Sequence, residues 1–280
     1  MNDPNCQPLQ ILDGQFVTDG AGVRLRRSLG LPECEDFDPF LLLDEIHSTR
    51  REDYIEGFPP HPHRGFQTIT LMREGGFRHR DSLGNEGAIG PGGVQWMKAG
   101  AGIVHEEMPA PDNGRLWGYQ LWFNLPAAHK LDPPQWRDIA ADEIPWITDS
   151  GSRLRLIAGE LDGRQGPLDG AGQGLLLIDA ELAAGAECSI PLPGPPCHAL
   201  VYLACGRIVV GTTPLGTGQL GLWRDCPLLR LEAREDSVTL IAAAHPIGEP
   251  IARGGPFVMN RPEELRQAVL DWQQGRMGRI

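Results

Sequence analysis

The chain has 280 residues, 41% of them hydrophobic, enough to bury one large core or two medium ones. Its formal net charge is −12 and no run of Lys or Arg is longer than two, which excludes a polyanion as the main partner, because phosphate binding needs clustered cations. The 36 glycines and 25 prolines punctuate short apolar runs, and this pattern predicts an all-β fold of many short strands rather than long helices.

The amino terminus, MNDPNCQPLQ, lacks the basic and apolar regions of a signal peptide, and no apolar run is long enough to span a bilayer. The expectation is a soluble, cytoplasmic protein with no direct nucleic-acid or membrane partner. Strand-like runs follow at Gln67 to Met72, Val94 to Met97, Ile103 to Met108 and Leu116 to Phe123, separated by the turns REGG, LGNEG and GPGG. They predict one closed β domain over residues 1–145. The Pro-rich, acidic passage LPAAHKLDPPQWRDIAADEIPWI reads as a connector.

A second β domain is predicted over 146–280 from LRLIAGEL, GLLLIDAEL, HALVYLACGRIVVG, QLGLW and DSVTLIAAA. It is poor in polar residues that could form a site, and its only histidines, His198 and His245, read as structural or surface groups. The tail RPEELRQAVLDWQQGRM places Leu265, Ala268, Val269 and Trp272 at three- and four-residue spacing, with Pro262 near the first turn. That spacing predicts a short amphipathic helix over about 262–275. Six cysteines (Cys6, Cys34, Cys188, Cys197, Cys205 and Cys226) form no CxxC pair, so reduced and mostly buried thiols are expected.

The chemistry concentrates in GFPPHPHRGFQTITLM. In an extended segment residues i and i+2 point to one side, so His61 and His63 can present both imidazoles to one point, and Pro62 stiffens the link. Downstream, GAGIVHEEMP places Ile103, His105 and Glu107 on one face and Glu106 on the other. Taken alone, either pair could lie at a solvated strand edge. Both fall in one predicted β domain, joined by hairpin-like turns that could bring them together. Three imidazoles and a carboxylate suit one divalent transition metal: iron as Fe(II) first, with zinc, nickel, copper, manganese or cobalt as alternatives. A closed structural zinc site is disfavoured by the lack of paired cysteines.

The segments DPFLLLDE, GFPPHPHRGF, RDSLGNEG, PGGVQWMKAGAGIVHEEMP, RLWGYQLWFNLP and GPFVMN resemble signatures of the pirin family, over roughly residues 12 to 275. The resemblance implies a cupin-superfamily bicupin, two jelly-roll-like β-barrels packed face to face, with one metal in the amino-terminal barrel and none in the other. Carried over motif by motif, the family's three histidines and glutamate fall on His61, His63, His105 and Glu107. The chain has Gln67 where pirins commonly carry Glu, which removes a negative charge close to the site. Gln67 and His79 are expected beside the metal ligands, and Phe58, Trp96 and Met97 as walls of a substrate pocket.

Several pirins resemble quercetin 2,3-dioxygenases, which open a flavonol ring with O2 and release CO. For this chain that implies a small aromatic substrate and O2, with Glu107 as the proton acceptor. The alternative implied by the family is a metal-containing regulatory or redox-sensing protein that binds a transcription factor or metabolic enzyme. A monomer is the expected state, and another enolisable compound could replace the flavonol.

Overall fold

The computed structural model describes residues 6–280, and they fold mostly as β-strands with one α-helix at the carboxy end. No helix among the described residues is long and apolar enough to cross a membrane. The chain forms two compact units, and neither is a consecutive half. One comprises 16–27, 40–141 and 247–280; the described residues of the other are 6–15, 28–39 and 142–246. This redraws the expected boundary between 145 and 146 at both ends of the chain. The strand Gln10–Asp13 pairs with Gln219–Arg224, and the carboxy-terminal tail belongs with the histidine-bearing unit.

The histidine-bearing unit contains two main sheets and a two-stranded one, Ala252–Gly254 with Phe257–Met259. The larger, of seven strands, runs in the order Gln135–Ile139, Val94–Lys98, Phe66–Glu74, Leu116–Asn124, Phe40–Ser48, Val23–Leu29 and Gln15–Asp19. The smaller runs Phe58–His63, Ile103–Pro109, Phe77–Asp81 and Glu86–Ile89, with antiparallel pairing throughout. The four expected strands are present and extend by up to two residues at an end. The passage read as a connector is corrected in part. Gln135–Ile139 completes the larger sheet by pairing with Val94–Lys98 despite the prolines before it.

Phe58–His63 has the sequence FPPHPH, and its three prolines cannot donate to a ladder. It accordingly sits at the edge of the smaller sheet, where only one neighbour has to be satisfied. Gly65, just beyond it, has φ +86, and a Cβ there would overlap the carbonyl oxygen of Val258. Only glycine allows the strand Phe257–Met259 to approach this closely. This accounts for the pairing of HRGF with the distant GPFVMN segment: Val258 N donates to Arg64 O at 3.0 Å.

The other unit repeats the plan, with a seven-stranded sheet that includes Gln10–Asp13 and a four-stranded sheet in the order Glu187–Pro191, Leu228–Ala233, Arg207–Val210 and Thr213–Gly216. Its interior is filled by one apolar cluster that includes Leu156, Ile178, Val201, Leu229, Leu231 and the fully buried Trp223. His198 stacks on Phe37 with ring centroids 4.4 Å apart, and His245 is bonded to the Pro196 carbonyl at 2.7 Å.

Two expectations are corrected. Cys6 and Cys226, 220 residues apart, are joined as a disulfide, a pairing that no local spacing could signal. Cys34, Cys188, Cys197 and Cys205 form no disulfide among the described residues, and of the four only Cys197 is fully buried. The helix is Pro262–Gln273, but its packed face is not the expected one. Leu265 and Ala268 pack with Val104, Phe257 and Met277, whereas Val269 and Trp272 are exposed. The inward position one turn on is Asp271, placed there by the buried guanidinium of Arg64 rather than by apolar periodicity.

Candidate metal centre

The register of the smaller sheet builds the site. His105 lies directly opposite His61, Ile103 opposite His63, and a bulge between His105 and Glu107 shifts the pairing. Strand alternation then turns Ile103, His105 and Glu107 to the buried side, and Glu106 outward to an ion pair with Arg80. The imidazoles of His61, His63 and His105 converge, and one ring nitrogen from each lies within 4.8 Å of the others.

Each ring is oriented through its other nitrogen. His61 Nδ1 faces the Pro59 carbonyl oxygen at 2.8 Å, and His63 Nδ1 faces the Pro256 carbonyl oxygen at 3.3 Å. A carbonyl can only accept, so both Nδ1 atoms carry the proton and both Nε2 atoms present lone pairs. Those two Nε2 atoms are 3.1 Å apart, an unfavourable meeting of lone pairs unless a cation lies between them. His105 Nε2 is buried and has no hydrogen-bond partner among the described residues. Burial, with the neighbouring His61, holds His63 well below its ordinary pKa; burial with His61, His63 and His79 does the same for His105. Neutral imidazoles with free Nε2 lone pairs are the form that binds a metal, so the donor set fits a divalent transition ion.

Glu107 is buried close by but stands apart from the three converging nitrogens. Its Oε1 accepts from Thr70 Oγ1 at 3.2 Å and its Oε2 from Gln120 Nε2 at 2.8 Å; Trp122 Nε1 in turn donates to Gln120 Oε1 at 3.2 Å. His79 is buried against His105, with the two Nδ1 atoms 3.5 Å apart, and its ring stacks on Trp136. Gln67 is fully buried, and its Oε1 accepts from Trp96 Nε1 at 2.8 Å.

The expected pocket residues are not gathered on one wall. Trp96 and Met97 are neighbours in one strand and point to opposite faces; Met97 packs with Ala99 and Ile103. Phe58 packs with Phe77 and lines a small apolar cavity together with Leu25, Ile46, Thr70 and Gln120. That cavity has room for about one water-sized molecule, far less than an aromatic ligand needs.

Several contributors have no signal in their own residue type. The Pro256 carbonyl comes from a segment almost 200 positions downstream of His63. Lys130 is fully buried and donates to Gly65 O, Asn124 Oδ1 and Val258 O at 2.7, 2.6 and 3.1 Å, tying the turn after the His-x-His pair to the tail. Thr70 and Gln120 could have been found only by following alternation along their strands.

Residues 22–123 match the family profile described as Pirin, and residues 177–278 the profile described as Pirin C-terminal cupin domain. A pirin-like protein of Caulobacter vibrioides is 45% identical over 96% of this chain and 98% of its own length. The human protein Pirin is 37% identical over 93% of this chain and 90% of its own. Among solved structures, quercetin 2,3-dioxygenase from Acinetobacter baumannii superposes with a TM-score of 0.90 at 33% identity, covering 98% of this chain and 99% of that one. The match covers nearly the whole chain, and the two profiles take in both units, so the chain belongs to the pirin family of two-domain cupins.

Proposed function

We propose that this protein is a metal-dependent dioxygenase of the quercetinase type, working in the cytoplasm, that opens a flavonol ring with O2 and releases CO. The observation that carries the reading is the pair of carbonyl-fixed imidazoles whose Nε2 lone pairs face each other beside the unpartnered Nε2 of His105. The solved Acinetobacter protein bears the name of this activity and shares the fold over almost the full chain.

His61, His63 and His105 would hold the metal, with Fe(II) the first expectation and nickel, copper, manganese, cobalt or zinc as alternatives. A bound metal supplies Lewis-acid chemistry, lowering the pKa of the flavonol 3-hydroxyl and holding it beside O2. The chain's own contribution to proton transfer is Glu107. Thr70 and Gln120 grip one carboxylate oxygen each, which fixes the group close to the imidazoles with lone pairs left to accept the hydroxyl proton. Gln67 supplies a neutral group where relatives of this type carry a carboxylate, so the site gains no extra negative charge there.

The test is direct. Iron-loaded protein is expected to consume O2 and bleach the flavonol absorption band of quercetin, and His63→Ala to abolish both. A loaded wild type that leaves quercetin untouched while binding a protein partner in a metal-dependent way favours the regulatory reading instead. One observation supports that second reading: Val269, Leu270 and Trp272 are exposed together on the helix whose Asp271 holds Arg64.

A further inference from the structure

The expected ligands come from two pairs, His-x-His and His-x-Glu, but the strand Phe77–Asp81 carries a third pair with the same spacing. In FRHRD, His79 and Asp81 are buried and Arg78 and Arg80 are exposed, the alternation of a half-buried strand. Register places Asp81 opposite His105 and His79 opposite Glu107. The third pair therefore lies on the same face as the second, one strand further from the His-x-His edge.

With both imidazoles neutral, the hydrogen bonds of these residues have one self-consistent assignment. Asp81 is fixed by its own turn: Oδ1 accepts from Leu83 N at 2.9 Å and Asn85 N at 3.1 Å, and Oδ2 accepts from Asn85 Nδ2 at 2.8 Å. Asp81 Oδ2 also lies 3.2 Å from His79 Nε2, and a carboxylate so supplied with donors accepts there too. His79 Nε2 thus carries the proton, which leaves its Nδ1 as an acceptor. The atom facing that Nδ1 is His105 Nδ1, at 3.5 Å. His105 must then be the donor, with its proton on Nδ1 and its lone pair on the buried, unpartnered Nε2. The opposite tautomer would leave two acceptors facing each other at Nδ1 and a buried N–H without an acceptor at Nε2, which is worse at both ends.

We propose that Asp81 and His79 are a positioning pair that fixes the tautomer and ring plane of His105, so that its Nε2 lone pair is already aimed at the metal before the metal arrives. His61 and His63 receive the same service from backbone carbonyls. At His105 no carbonyl takes that place, and the Asp81–His79 pair substitutes for one. Stacking of His79 on Trp136, with ring centroids 5.5 Å apart and planes within 18°, keeps the intermediary ring from turning away. The proposal rests on the reading of His61, His63 and His105 as metal ligands, and one arm of its test does not depend on metal.

That arm is the metal-free protein, in which long-range proton–nitrogen NMR correlations of the imidazoles report each tautomer. The proposal expects His105 as the Nδ1–H form in the wild type, and loss of that single form in His79→Phe, which keeps a ring against Trp136 but offers no acceptor. His79→Asn, which returns an acceptor near the position of Nδ1, is expected to restore it. In the metal arm, His79→Phe is expected to weaken Co(II) binding about 10- to 100-fold by calorimetric titration, with His79→Asn nearer the wild type. Far-UV circular dichroism checks that each variant is folded, and any that is not is replaced by Asp81→Asn, for which the same loss of the single tautomer is expected. An Nε2–H tautomer of His105 in the wild type overturns the proposal whatever the metal does, and so does a folded His79→Phe with unchanged tautomer and Co(II) affinity. A wild type with the Nδ1–H form that binds no metal leaves the positioning pair standing and overturns the metal reading instead.

Discussion

At the scale of single residues, the proposed function gives Glu107 a part in turnover and none in holding the metal. Its oxygens are taken up by Thr70 and Gln120 rather than joined to the three imidazole nitrogens. Glu107→Gln is therefore expected to leave metal content at the wild-type level while turnover of quercetin falls about 10²- to 10⁴-fold, the usual worth of a positioned base. Metal analysis beside an O2-uptake assay checks both halves of that statement. Trp96→Phe probes a different residue: it removes the donor to the buried Gln67 Oε1 and is expected to cost about 1–2 kcal/mol in denaturant unfolding. The convergence of His61, His63 and His105 was legible because i and i+2 share a face of a strand, and the same rule applied to FRHRD would have found Asp81. The Pro256 carbonyl was not legible, since a backbone oxygen has no residue type to betray it.

At the scale of elements, the His-x-His strand depends on the carboxy-terminal segment. Gly65 admits Val258, Lys130 bridges the two, and Arg64 reaches Asp271 on the helix at 2.7 Å. Gly65→Ala is expected to cost about 3 kcal/mol in stability, through strain at positive φ and overlap with the Val258 carbonyl, and to weaken metal binding because the neighbouring Pro256 carbonyl moves away from His63. Thermal melts and metal titration of the variant check this. Asp271 offers a pH test. Burial alone would raise its pKa, but hydrogen bonds from Arg64, Gln267 and Arg276 outweigh it and bring the group down to about 2. A carboxyl depressed below its unfolded value of about 3.9 stabilises fully above that pH and loses its contribution as pH falls toward 2. Asp271→Asn is therefore expected to lower the denaturant midpoint by a constant amount from pH 7 to about 4, and by progressively less below it. The helix itself was legible from Pro262 and its periodicity, yet its inward face was misjudged because a buried ion pair, not a hydrophobe, occupies position 271.

The whole molecule uses one plan twice, and the cluster of His61, His63 and His105 lies in one copy. In the other copy, the strands placed like Phe58–His63 and Ile103–Pro109 in the four-stranded sheet are Glu187–Pro191 and Leu228–Ala233. Their buried residues are Ile190, Leu229, Leu231 and Ala233, which join the apolar cluster around Trp223. The β class and the repetition could both be read from the sequence, because patterning carries them. The exchange of terminal segments between units could not, since strand pairing across 200 residues leaves no local trace. The same holds for Cys6–Cys226. Alkylation without reductant, followed by peptide mass analysis, is expected to leave Cys6 and Cys226 unmodified and linked, while at least Cys34 and Cys205 react. The most direct test of the account is the stoichiometry and ligand set of the metal. Calorimetric titration of metal-free protein with Co(II), read beside X-ray absorption of the loaded form, is expected to give one ion per chain with three imidazole nitrogens, and no binding in His63→Ala. Two ions per chain, or binding that His63→Ala leaves intact, would contradict it.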